Sequence, residues 1–67
     1  MGITLKAARV NAGLTQQEAA ERLGVAKDTI RNWEKGATYP DVPQLKKIEL
    51  EYKIKYSDII FLNSNNS

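Results

Sequence analysis

The sequence predicts a compact all-α domain of five short helices, two of which form a helix-turn-helix. The chain has 67 residues, which is enough for one domain with a small core. It contains no cysteine and no histidine, so a disulfide framework is excluded and a metal site is not expected. Apolar residues recur at helical spacing, and glycines separate the periodic segments. A helical bundle held by packing alone fits these observations.

The first two helices are predicted at residues 3–12 and 16–23. Leu5, Ala8 and Ala12 form a buried stripe on the first helix, and Gly13 follows as its stop. Thr15 and Glu18 have the spacing of a capping box, which opens the second helix, and Gly24 ends it.

The third helix is predicted at residues 26–35, with Gly36 at its end. Ala26, Ile30 and Trp33 lie on one side of a helical wheel, which indicates the face turned to the core. Trp33 could instead be a stacking platform for single-stranded nucleic acid, but its place in this stripe favours the core.

Two further helices are predicted, followed by a polar tail. Asp41 is the expected N-cap of a fourth helix at residues 42–52, which buries Leu45, Ile48 and Tyr52. The fifth helix is expected at residues 56–62, with Phe61 in the core. The domain is therefore assigned to residues 1–62, and residues 63–67 are expected to be disordered.

Cellular location follows from the absence of a membrane or export pattern. The longest apolar run, residues 59–62, is far shorter than the roughly 20 residues that a spanning helix needs. The N-terminus lacks the layout of a signal peptide. We expect a cytoplasmic protein that does not bind a membrane.

Residues 16–35 have the layout of a helix-turn-helix. Two short helices are joined by a turn of three or four residues that contains Gly24. Ala20 is small enough for a crossing helix to approach closely, and Val25 adds an apolar anchor beside Ile30 and Trp33. The register of all these residues together favours DNA binding, whereas a net charge of +2 alone would not.

The polar face of the third helix combines cations with groups that can bind base edges. Lys27, Asp28 and Asn32 are predicted to contact bases, and Arg31 either a base or a phosphate. The phosphate contacts are predicted at four further residues: Gln16, Gln17, Lys35 and Thr38. The hydroxyl group of Tyr39 could touch a phosphate, or the ring could pack in its loop. Lysines 46, 47, 53 and 55 could form a second basic patch, but the glutamates interleaved with them favour a solvated face.

The segments at residues 14–25 and 29–36 resemble the Cro/CI (Xre) family of phage and bacterial repressors. The resemblance implies a five-helix, lambda-repressor-like DNA-binding domain that binds an operator as a dimer. It also implies that Gln16, Lys27, Asp28 and Asn32 contact double-stranded DNA. The chain departs from the family at Ala26, where members often have serine or threonine, so the third helix lacks its usual cap.

The same resemblance implies that Arg9 and Glu34 form a structural ion pair, although Arg9 could instead bind phosphate. Dimer contacts are expected from Ile59, Ile60 and Leu62 wherever these are not core, giving a homodimer that is weak without DNA. The predicted function is a sequence-specific transcriptional regulator that binds double-stranded DNA, with repression as the expected outcome. The alternative function is a protein-interaction module of the same fold, an antitoxin or antirepressor partner. An enzyme is not expected, because the chain has no histidine or cysteine and no spacing places a nucleophile beside a base. No cofactor or small-molecule ligand is expected either, and the sequence has no P-loop or glycine-rich phosphate cradle.

Overall fold

The computed structural model describes residues 2–62, so the polar tail predicted at residues 63–67 lies outside the described residues. Four α-helices form the body of the molecule, and a two-stranded parallel ribbon joins its two ends. In chain order the elements are β1 (Ile3–Thr4), α1 (Leu5–Asn11), α2 (Gln16–Leu23), α3 (Lys27–Lys35), α4 (Val42–Tyr52), a 3-10 turn (Tyr56–Asp58) and β2 (Ile59–Ile60).

The prediction of a fifth helix is wrong. The predicted segment begins as the 3-10 turn and continues as β2, which pairs with β1 in the register Ile3 to Ile59 and Thr4 to Ile60. Consecutive β-branched residues favour an extended backbone, and here they find a partner strand at the other end of the chain. For the same reason α1 begins at Leu5, two residues later than predicted, with Thr4 as its N-cap.

The core lies between α1, α2 and the inner face of α3, and α4 closes it by packing against α1 and α2. Ile30 and Ile48 are completely enclosed, and Trp33 is only 4% exposed, which excludes a stacking platform at this residue. Phe61 is half-buried and packs against this core. The prediction that Ala26 faces the core is wrong. Ala26 is exposed, because it is the N-cap residue that precedes α3. Within residues 2–62, no helix is both long and apolar enough to cross a bilayer.

Side-chain caps fix where α2 and α4 begin. The predicted box at α2 is present: the Glu18 amide donates to the Thr15 hydroxyl at 3.1 Å, and the Thr15 amide donates to the Glu18 carboxylate at 2.9 Å. A second box pairs Asp41 with Gln44 at the start of α4, where the sequence had indicated only the cap at Asp41. As predicted from the missing hydroxyl, Ala26 gives α3 no side-chain cap.

The box at α2 predicts a pH dependence of stability. Hydrogen bonds from the backbone and the hydroxyl of Thr15 lower the pKa of Glu18 below its ordinary value of 4.5. A carboxyl whose pKa is depressed by folding stabilises the fold above its unfolded pKa, and this is lost as pH falls through the folded pKa. The variant Glu18→Gln keeps a capping oxygen but no charge. In urea denaturation we expect it to be less stable than the parent chain at neutral pH and equal to it in acid; an equal difference at both pH values would contradict this.

Candidate nucleic-acid interface

The turn between α2 and α3 sets the angle at which the two helices cross. Gly24 has φ +71°, in the left-handed region that favours glycine, and the following amide, that of Val25, donates to the Ala20 carbonyl at 3.0 Å. Ala20 is 2% exposed, so the small side chain lies inside the crossing. With Ile30 and Trp33 buried beneath it, α3 is held rigidly on the core.

The outer face of α3 presents the residues that the sequence assigned to base contact. Lys27, Asp28 and Arg31 are exposed, and Asn32 is half-buried beside them. Among the described residues, the side-chain amide of Asn32 makes no hydrogen bond, so its donor and acceptor groups are free for a ligand. Asp28 lies in the first turn of α3, where the helix dipole favours a negative charge.

The C-terminal end of α3 is closed by backbone hydrogen bonds. Gly36 adopts φ +79°, and the Asn32 carbonyl accepts from the amides of Ala37 at 2.9 Å and Thr38 at 3.4 Å. Lys35 and Thr38, both predicted phosphate contacts, are exposed on either side of this glycine. The end of the helix and the loop after it therefore have a defined path.

Arg9 and Glu34 form a buried ion pair that joins α1 to the end of α3. The Arg9 Nε donates to the Glu34 carboxylate at 2.6 Å and Nη2 donates to its other oxygen at 3.3 Å. Arg9 Nη1 also donates to the Leu14 carbonyl at 2.8 Å, and this hydrogen bond stabilises the turn before α2. The two side chains are only 8% and 5% exposed. Arg9 is thus committed to interior partners rather than to a ligand.

Tyr52 lies close enough to this pair to be affected by its charges. Burial raises the pKa of the Tyr52 hydroxyl to about 12, with Glu34 adding to the increase and Arg9 opposing it. The phenol is therefore neutral at physiological pH. This agrees with its predicted place in the core, where it is 4% exposed.

Gln16 connects the ion pair to the surface. Its side-chain amide donates to the Glu34 carboxylate at 3.1 Å, which fixes the first residue of α2 against the end of α3. The same two residues border a groove of about 350 Å³, whose other walls are Lys6, Arg31 and Lys35. The groove thus brings three cations from two helices around one opening.

Lys6 is the residue of this site that sequence analysis missed. It lies on α1, 25 residues before Arg31 in the chain, and a lone lysine on a surface helix has nothing local to distinguish it. Only the packing of α1 against α3 places it beside Arg31 and Lys35.

Two other residues considered as phosphate contacts, Gln17 and Tyr39, form hydrogen bonds within the protein. The side-chain amide of Gln17, a predicted phosphate contact, donates to Glu21 at 3.3 Å on the exposed side of α2. The Tyr39 hydroxyl donates to the Leu62 carbonyl at 2.7 Å, and its ring meets Phe61 edge to face with centroids 6.3 Å apart. Of the two readings of Tyr39, the structure favours packing in the loop.

A tight turn between two packed helices, the second of which buries one face and presents cations and an amide to solvent on the other, defines a helix-turn-helix domain. The helix-turn-helix family model matches residues 5–59. The chain belongs to this family, in agreement with the Cro/CI resemblance of its sequence.

Two curated relatives are transcriptional regulators. The chain is 39% identical over 54 residues to the HTH-type transcriptional regulator ImmR of Bacillus subtilis (strain 168), covering 81% of this chain and 42% of the relative. It is 32% identical over 56 residues to the HTH-type transcriptional activator BcrR of Enterococcus faecalis, covering 84% of this chain and 28% of the relative. The chain thus spans less than half the length of either relative. No solved structure gives a significant match.

Proposed function

We propose that this chain is the DNA-binding domain of a sequence-specific transcriptional regulator, with α3 as the helix that enters the major groove. The observation that supports this most strongly is the contrast between the two faces of α3. The inner face is fixed by Ile30 and Trp33, while the outer face leaves Lys27, Arg31 and Asn32 open to a ligand. The major groove of B-DNA is wide enough to admit such a helix.

Each exposed side chain of α3 has a chemical role in this proposal. The amide of Asn32 suits adenine, because it can donate and accept in one bidentate contact. Lys27 donates to guanine, and Asp28 accepts from the amino group of cytosine. Arg31 lies at the border of the groove with Lys6 and Lys35, so it can reach either a base or a phosphate.

The cationic groove between α1 and α3 is the proposed phosphate site. Lys6 and Lys35 are exposed on its rim, and Gln16 is held there by Glu34 at the opening of α2. Phosphate contacts fix the register of a protein on the duplex without reading its sequence. Anchoring in this groove beside α3 would set the depth at which the helix enters the major groove. Gln17 and Thr38 are proposed as peripheral phosphate contacts.

The proposed assembly is a homodimer on a near-palindromic operator, with two copies of α3 one helical turn apart. Ile59 is 8% exposed and belongs to the core, whereas Ile60 is 50% and Leu62 43% exposed, so these two supply the proposed dimer contact. Two side chains make a small interface, which fits a dimer that is weak without DNA. The proposed outcome is repression by covering a promoter, in the cytoplasm of a bacterium that carries the gene itself or on a phage. Activation is equally compatible with this fold.

Selection from a randomised duplex library tests this function. We expect an enriched palindrome, and we expect Asn32→Ala to lose about 1–3 kcal/mol of discrimination at one base pair per half-site. The matched control is Asn11→Ala, an exposed asparagine at the end of α1, which should leave the preference unchanged. Binding without any enriched sequence would reject the proposal in favour of a protein-interaction module.

The salt dependence of DNA affinity distinguishes phosphate contacts in the cationic groove from base contacts made by α3. The variant Lys6→Gln removes one cation that contacts phosphate. It should reduce the slope of log affinity against log salt by about 0.9 per protomer and should leave the preferred sequence unchanged. Lys53→Gln, which removes an equal charge at the end of α4, serves as the control. An unchanged slope for Lys6→Gln would remove this residue from the DNA interface.

A further inference from the structure

The outer face of α4 has exposed apolar side chains that the DNA-binding proposal does not use. Leu50 is 77% exposed, the highest value of any large apolar residue among residues 2–62, and Val42 is 65% exposed. With Lys46 between them, they follow each other at helical i, i+4, i+8 spacing and so form one stripe. Tyr56, 57% exposed, extends this surface beyond the end of α4.

The stripe borders a groove along α4, formed by two adjoining hollows of about 590 and 230 Å³ that share Lys46 and Glu49. Leu45 and Ile54 are half-buried in its walls and supply further apolar surface. The helix α4 has eleven residues and is therefore about 16 Å long, which equals about three turns of a partner helix lying along it.

The charges around the groove are unbalanced. Lys46, Lys53 and Lys55 line it, and none of them forms an ion pair with a residue that the structure describes. Glu49 is the one carboxylate among the lining residues, and it accepts a hydrogen bond from the Tyr56 amide at 2.8 Å. The groove therefore combines an apolar surface with a cationic rim.

We infer that this groove, the α4 groove, binds an acidic amphipathic helix of a partner protein. Apolar anchors at i, i+3, i+4 and i+7 would cover Val42 and Leu50, as in other helix-in-groove complexes, and flanking carboxylates would face the three lysines. A second copy of the chain fits less well, because a two-fold contact through this face places the same lysines against one another. A DNA backbone would match the charges but would leave Leu50 uncovered.

The inference can be tested without DNA, by NMR titration of the protein with a designed peptide. The probe has about 15 residues, the marginal length for an isolated helix, with leucines at helical spacing and glutamates elsewhere. We expect amide shifts confined to α4 and residues 53–56. A peptide with lysines in place of the glutamates should bind at least about tenfold more weakly.

Substitutions on the protein decide whether the groove is the site. Leu50→Glu should weaken binding of the acidic peptide at least about tenfold, because a leucine anchor is lost. Val10→Glu, at an aliphatic residue 56% exposed on α1, should leave binding unchanged. Reversing charge in the double variant Lys46→Glu, Lys53→Glu should transfer the preference to the lysine peptide. Circular dichroism checks that each variant is folded.

Four results would overturn the inference. The first is the absence of amide shifts at about 1 mM acidic peptide, the second is equal binding of the acidic and lysine peptides, and the third is binding of the acidic peptide that Leu50→Glu leaves intact. The fourth is a concentration-dependent dimer of the free protein that Leu50→Glu abolishes, which would assign the α4 groove to a second copy. None of these measurements contains DNA, so a negative result for the α4 groove leaves the DNA-binding proposal unaffected.

Discussion

Replacing Arg9 with alanine is expected to lower the free energy of unfolding by about 3–5 kcal/mol, because it leaves the Glu34 carboxylate buried without its counter-charge. The Leu14 carbonyl and the Gln16 side chain would also lose order, since both are held through this pair. A domain of 67 residues has a total stability of only about 3–10 kcal/mol. The loss is therefore a large fraction of the total stability, and urea denaturation would measure it as a lower transition midpoint.

The matched control for this prediction is Arg22→Ala. Arg22 meets Glu51 at 3.4 Å on the surface, with side chains 57% and 35% exposed, so its loss should cost about 0–1 kcal/mol. DNA affinity must be referred to the folded fraction of each variant. If Arg9→Ala unfolded like the parent chain but no longer bound DNA, Arg9 would be a phosphate ligand and its structural role would be wrong.

The features predicted correctly from the sequence are those encoded by neighbouring residues. The capping box at Thr15 and the stop at Gly24 bound α2, and both are local interactions within a few residues. The polar face of α3 is equally local, because the helical period alone decides which side chains share a side. This is why α2 and α4 begin and end at the predicted residues.

The features that were missed depend on residues far apart in the chain. The run at residues 59–62 is apolar enough for a helix, and only the pairing of Ile59 and Ile60 with Ile3 and Thr4 makes its first half a strand. Lys6 has no local signal either, since its relation to Arg31 exists only after α1 packs on α3. The Arg9–Glu34 pair spans 25 residues and was expected from family resemblance, because no spacing rule would suggest it.

The glycine that ends α3 leaves room for Leu62, which lies at the end of the segment 59–62. Gly36 has φ +79°, and a β-carbon added there would lie 2.7 Å from the Leu62 carbonyl oxygen and 2.9 Å from its carbon. These are backbone atoms, so the segment itself must move to make room. Its other attachments, the Tyr39 hydrogen bond and the strand pairing with Ile3, resist that movement.

Gly36→Ala is therefore expected to lower the free energy of unfolding by about 2–4 kcal/mol, which combines backbone strain with the displacement of Leu62. Gly13→Ala is the matched control: its φ is +78°, but no atom lies within 4 Å of the added β-carbon. It should cost only the left-handed strain, about 1–2 kcal/mol. The difference between the two variants in urea denaturation measures how firmly residues 59–62 are attached. Equal losses of unfolding free energy in the two variants would mean that residues 59–62 move aside at no cost. The end of α3 would then be stabilised by its own backbone hydrogen bonds alone.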